Sequence, residues 1–317
     1  MPHLSFTLCI CSILYKAQSE AWCPPPSFRS TVAASRASSS KAQIGPQQLG
    51  EFETLAVKST EISKRKVALI DYSNSGSSIP FQKAWDWQKE ILNDHVERIT
   101  EFQSSSIDDE KSFSQFWNPT ENNKYGIDTI LMLQHEPIYT LGTGSDEKFV
   151  LGRNDSDSSL VPVVRMDRGG EVTYHGPGQL TVYPILDLRG YKQDIHWYMR
   201  ALEEAILVAL HKCGLSKSAE RQADVTGVWV ENHKVAACGV KVKRWITMHG
   251  LAVNVEKSSL KNFEGIVPCG LDGRKVGCIN QFVNDREFTV AEFAEIMKEA
   301  LEEVFEIQLV PRTHSLL

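Results

Sequence analysis

Four segments of the sequence set reactive side chains among glycines. Pro268-Cys269-Gly270 places a thiol in a tight turn with few apolar neighbours to bury it. Such a cysteine is a nucleophile when a nearby charge stabilises its thiolate, and an inert thiol otherwise. Lys234 opens the apolar run Lys234-Val235-Ala236-Ala237-Cys238-Gly239. A lysine at that place is either a strand-end residue that reaches back to solvent or an acid–base group. The stretch from Arg168 to Gln179 gathers Gly169, Gly170, Gly176 and Gly178 around Arg168, Thr173 and His175. Glycines let backbone come close to a ligand, and exposed N–H groups can hold a carbonyl or an anion. A glycine-rich hairpin with an incidental histidine is the alternative. His249-Gly250-Leu251-Ala252-Val253-Asn254 sets a fourth polar residue ahead of a small apolar run.

The elements around these segments alternate between strand and helix patterns. Val67 to Tyr72 reads as a strand. Phe81, Trp85, Gln88, Leu92, Val96 and Ile99 recur near a 3.6-residue period, which predicts a helix beginning just after Pro80. Glu101 to Tyr125 is polar and acidic and is expected to be a surface insertion. Ile127 to Leu133, Val161 to Met166 and Leu180 to Leu186 read as strands. Asp194 to Leu210 reads as an amphipathic helix closed by Gly214. Gly227 to Val242 has the pattern of a hairpin turning at Glu231-Asn232-His233, and Gly250 to Val255 that of a short strand. Thr289 and Glu292 form a capping box for a last helix. Mixed strands and helices of this length predict an α/β (α+β) single domain over residues 67–310, a mixed sheet flanked by helices.

The chain has 317 residues and a net charge of −6, with 42% hydrophobic and 23% charged residues. No stretch approaches the roughly 20 apolar residues of a membrane-spanning helix. An acidic balance argues against a nucleic-acid binder. Residues 1–50 differ from the rest: Lys16, Arg29, Arg36 and Lys41 stand against Glu20 alone, amid many serines. That composition predicts an organelle-targeting leader, plastid before mitochondrion, and the apolar run from Leu4 to Tyr15 suggests a signal ahead of a transit peptide. The remainder carries −9, so an acidic protein partner would need a local basic patch. Val240-Lys241-Val242-Lys243-Arg244 projects Lys241 and Lys243 to one face of a strand and is the candidate, with a solvated strand edge as the alternative. Cysteine spacing fits neither zinc nor a disulfide scaffold.

Taken in order, R-G-G-x-x-T-x-H-x-x-G-Q, K-V-A-x-x-G, H-G-L-A-x-N and P-C-G resemble the lipoyl(octanoyl) transferases, over roughly residues 68–306. Cys238 departs from the leucine frequent in that family, and Met248 from tyrosine or threonine. Leu141-Gly142-Thr143-Gly144 resembles the plant-type members. The resemblance implies a fold like the catalytic domain of biotin and lipoate protein ligases. It implies transfer of an octanoyl group from octanoyl-acyl carrier protein to a lysine of lipoyl domains, in 2-oxoacid dehydrogenase E2 subunits and the glycine cleavage H protein. By the same resemblance Cys269 is the acyl-thioester nucleophile and Lys234 its acid–base partner. Arg168, Gly169, Gly170, Glu171, Val172, Thr173, Tyr174 and His175 would line the acyl pocket with Ala237, Cys238, Gly239, Gly250, Leu251 and Ala252. No cofactor, metal, nucleic acid or membrane span is expected, and a monomer is. An ATP-dependent lipoate or biotin-type ligase and a non-catalytic lipoyl-domain binding protein are the competing readings.

Overall fold

Strand β1 (Arg65–Asp71) lies between β12 (Ile307–Pro311) and β2 (Thr129–Leu133), parallel to both. From β2 the sheet continues antiparallel through β6 (Gln179–Ile185), β10 (Ile246–Asn254), β9 (His233–Lys243) and β8 (Val228–Val230) to β7 (Ala219–Glu220). Short β11 (Lys275–Val276) adds to β9 in parallel, giving a nine-stranded mixed sheet. A separate three-stranded sheet, absent from the sequence expectation, has the order β4 (Val163–Arg165), β3 (Ile138–Leu141), β5 (Val172–His175). This computed structural model describes residues 64–104, 128–151, 161–222, 225–267 and 275–313, with the side chains of 102–104 excepted. The expected leader and the Pro268-Cys269-Gly270 turn lie outside the described residues.

Among the described residues, three helices cover the large sheet. Helices α2 (Ile195–Lys212) and α3 (Val290–Val304) pack on one face, where Leu202, Ile206, Phe293, Met297 and Leu301 meet Val67, Ile130, Val182, Leu251 and Val253 in one buried cluster. Helix α1 (Phe81–Ser104) packs on the other face, against Ile70, Leu131, Leu133, Tyr183 and Ile185. Its periodicity runs past the expected end: the polar stretch begins as the last turn of α1, and 105–127 lie outside the described residues. The ends of these helices follow local chemistry. Asp194 accepts from the Trp197 N–H, and Thr289 and Glu292 cap one another reciprocally. At the far end of α2, Gly214 takes φ +86°, and the Gly214 and Leu215 N–H groups return to His211 and Leu210 in a Schellman turn.

Two tight hairpins shape the strands that carry the candidate residues. Glu231 and Asn232 both take positive φ between β8 and β9, as a two-residue type I′ turn requires. Arg244 and Trp245 do the same between β9 and β10. The second turn carries no glycine or asparagine, which is why the sequence read β10 as beginning only at Gly250. Among the described residues no helix is long and apolar enough to cross a membrane.

Candidate functional site

Lys234 enters β9 one residue before a bulge. Pairing runs Trp229↔Lys234 and then Val228↔Ala236, so Val235 is the extra residue. Val235 and Ala236 consequently both turn to the α2/α3 core, and Lys234 and Ala237 share the opposite face. There they line a cleft of about 320 Å3, its open mouth included, with Thr173, Gln179, Ala252, Asn254, Phe263 and Val276 among the other walls. Lys234 is 9% exposed and its Nζ lies 5.7 Å from the centre of the Trp229 ring. Small side chains, Ala236, Ala237 and Ala252, make part of its wall along β9 and β10.

The segments flanking Cys269 are anchored on both sides of this cleft. Before it, the Val267 N–H donates to Phe149 O, the Leu151 N–H donates to Gly265 O, and Tyr139 donates to Asn262 O. These bonds tie 262–267 to the 149–151 segment and to β3. After it, Val276 pairs with Lys234 and the Gly277 N–H donates to Lys234 O. Residues 275–277 are therefore in register with the start of β9 at Lys234.

The glycine-rich segment is held by its arginine. The Arg168 guanidinium is buried and donates to Thr140 Oγ1 at 2.8 Å, Thr140 O, Gly169 O and Glu171 O. Gly170 takes φ +89°, and its carbonyl approaches Gly142 so closely that a Cβ there would lie 2.1 Å away. Gly169 donates its N–H to Val240 O on β9. Arg168, Gly169, Gly170 and Glu171 thus clamp the small sheet onto β9. Thr173 faces the cleft, whereas Val172 and Tyr174 are buried against Tyr139, Ile266 and Phe263 in the core of the small sheet. Leu251 and Cys238 pack in the α2/α3 core, away from the cleft. Burial and the Glu203 carboxylate push the Cys238 thiol far up, so it is no thiolate at neutral pH.

His175 and Gln179 open a hydrogen-bonded chain toward Lys234. Gln179 Nε2 donates to Tyr174 O and Asn254 Oδ1, which leaves its Oε1 to accept from His175 Nδ1 at 2.8 Å. Asn254 then donates to Gly277 O. His135 donates from Nδ1 to Ile79 O and accepts at Nε2 from the Tyr183 hydroxyl. Burial lowers His175 to about 3 and His135 to about 4, so both rings are neutral at pH 7.

Strand β10 is distorted at the histidine of its motif, and Pro184 explains why. Proline has no N–H to give the ladder opposite His249, and Thr247 Oγ1 takes over Pro184 O at 2.7 Å. His249 adopts φ +59°, its N–H turns to Gln88 Oε1, and its Nε2 donates to Asp167 at 3.0 Å. Desolvation works against ionisation of Asp167, but hydrogen bonds from Lys241 and His249 hold it below the usual range. Of the expected docking pair, Lys241 is half-buried and engaged with Asp167, whereas Lys243 is exposed beside Arg244 and Trp245 at the hairpin tip. Gly250 serves strand packing, since a Cβ would meet Val182 O at 2.3 Å and Pro184 Cδ at 2.6 Å. Gly250→Ala is expected to cost about 2 kcal/mol or more, read from the urea midpoint.

Residues 117–302 match the lipoyl protein ligase A/B catalytic domain family. A chloroplastic octanoyltransferase of Arabidopsis thaliana is 40% identical over 74% of this chain and 78% of its own. The chain belongs to the octanoyltransferase family. An octanoyltransferase of Gloeobacter violaceus is likewise 40% identical, over 74% of this chain and 89% of the relative. A bi-partite lipoate protein ligase from Thermoplasma acidophilum shares the fold, with a TM-score of 0.50 at 14% identity, over 79% of this chain and 87% of that one. The motifs of this octanoyltransferase that recur as cleft walls are therefore those on β5, β6, β9 and β10. Asn254, Phe263, Val276 and Gly227 were not singled out as site residues from sequence. The asparagine that closes the β10 motif carried a signal that could have found the first.

Proposed function

We propose that this octanoyltransferase takes its acyl group from octanoyl-acyl carrier protein, holds it as a thioester on Cys269, and passes it to a lysine of lipoyl domains in 2-oxoacid dehydrogenase E2 subunits and the glycine cleavage H protein. The observation that supports this reading is the register of β11 on β9, which sets Val276 beside Lys234 where both line the cleft. Lys234 takes the thiol proton, and the thiolate adds to the donor carbonyl. Collapse of the tetrahedral oxyanion expels the carrier thiol, which recovers the proton. The acceptor amine then attacks the enzyme thioester, gives its proton to Lys234, and releases Cys269. The donor is already a thioester, so the carbonyl requires no prior activation. Burying most of an eight-carbon chain supplies on the order of 5 kcal/mol of binding.

Intact mass spectrometry after mixing with octanoyl-carrier protein without ATP is expected to show one octanoyl adduct, mapping to Cys269 and lost when apo-lipoyl domain is added. Full transfer by Cys269→Ser would falsify the covalent route. Transfer that appears only with free octanoate and ATP would mean a ligase. The chloroplastic relative supports a plastid as the site of action, with the leader as its address. Exposed Lys243 and Arg244 are the cations left for an acidic carrier. Charge reversal of both is expected to raise the KM for carrier protein about tenfold while leaving kcat in place, and to weaken its salt dependence.

A further inference from the structure

We propose that Glu203 is a positioning residue for Lys234, acting through the backbone of Gly227. The inference rests on the acid–base role given to Lys234 above. Glu203 sits in the middle of α2, between the core residues Leu202 and Ile206, and is 1% exposed. A carboxylate so placed is costly unless it is paired and hydrogen-bonded. It divides its two oxygens. Oε2 accepts from Arg200 at 2.7 Å and lies 3.6 Å from Arg221 Nε. Oε1 leaves the helix surface and accepts the Gly227 N–H at 2.9 Å.

Gly227 is the residue that needs holding. Its φ of +122° is closed to ordinary side chains, and a Cβ there would lie 2.4 Å from Ala236 O, 2.7 Å from Lys234 Cε and 3.4 Å from Lys234 Nζ. The bare Gly227 backbone is thus one wall of the lysine's slot, with the Trp229 ring on another side. Lysine has four flexible torsions, and a slot of this kind is what limits them. The carboxylate fixes the wall from the opposite face of the sheet, so it acts on the lysine without touching it.

Two substitutions separate position from charge. Glu203→Gln keeps an oxygen for the Gly227 N–H and loses the charge. Glu203→Asp keeps the charge for Arg200 and Arg221 but withdraws the oxygen by one methylene. Octanoyl transfer is measured per folded molecule, from near-ultraviolet circular dichroism, across pH. We expect Glu203→Gln to keep kcat within about threefold, and Glu203→Asp to lower it about tenfold or more at constant KM with a displaced pH profile. Gly227→Ala, which leaves the Glu203 ion pairs in place, is expected to lose at least as much. Aspartate outperforming glutamine, or Gly227→Ala at the wild-type rate, overturns the proposal. Lys234→Ala runs in the same assay. If it keeps the wild-type rate, the acid–base reading itself is wrong; if it is inactive while Glu203→Asp is normal, only the positioning inference fails.

Discussion

Lys234→Ala is expected to lower the transfer rate by about three orders of magnitude at neutral pH, within the range removed with a general acid–base group. The substitution should leave the fold intact. Among the described residues Lys234 Nζ meets the Trp229 ring and no hydrogen bond or ion pair, so its removal orphans none of them. The space it vacates opens on the cleft rather than into the α2/α3 core. KM for the carrier should change little, because in the proposed mechanism the lysine exchanges protons with the thiol and the acceptor amine rather than binding the carrier. Lys234→Arg is the sharper test. Arginine keeps the charge but does not lose its proton in the working range, so it should restore little of the rate. Thermal midpoint, KM and kcat together check the prediction. A large loss of stability, or rescue by arginine, would assign the lysine a structural or purely electrostatic role instead.

The parts of the fold legible in sequence were those fixed by local periodicity and capping. Helices α2 and α3 announce themselves through Asp194, Gly214 and the Thr289–Glu292 box, and the β8–β9 turn through Asn232. What stayed hidden depends on contacts distant in sequence. The pairing of β1 with β12 joins residues more than two hundred positions apart, and nothing near either strand encodes it. The three-stranded sheet is built from short strands whose order is set by the Arg168 clamp across Thr140 and Glu171. The site divides in the same way. Its motifs mark strands that line the cleft, but a motif does not say which face a residue takes. The bulge at Val235 turns Ala237 to the cleft and Cys238 away from it, and the Pro184 kink diverts His249 to Asp167. At Gly142 and Gly250 neighbouring chain also approaches too closely for a Cβ, a reason for glycine that the motifs do not reveal.

Acidification from pH 7 to pH 5 is expected to unfold this octanoyltransferase, well above the pH at which its carboxylates titrate. Four histidines, His95, His135, His175 and His249, are buried and held neutral, at about 4, 4, 3 and 4, in each case first by desolvation. In the unfolded chain each returns to about 6.5. Between those values the unfolded state binds the extra protons, so stability is fully present above about pH 6.5 and falls as pH drops toward the folded values. Each histidine then removes roughly 1.4 kcal/mol per pH unit, and four together roughly 6 kcal/mol per pH unit, a large share of a domain's total. The carboxylates held low by their partners, Asp71 and Asp167, add their own loss only below about pH 4. His95 tests the account cleanly. It lies in α1 with neither ring nitrogen hydrogen-bonded, and Asp187 and Asp94 only partly offset the cost of charging it. His95→Leu should therefore leave stability at pH 7.5 nearly unchanged or improved, and reduce the steepness of the urea-midpoint profile between pH 6.5 and 5. A profile flat over that range in the wild-type protein would mean that water or rearrangement solvates these rings in the folded state.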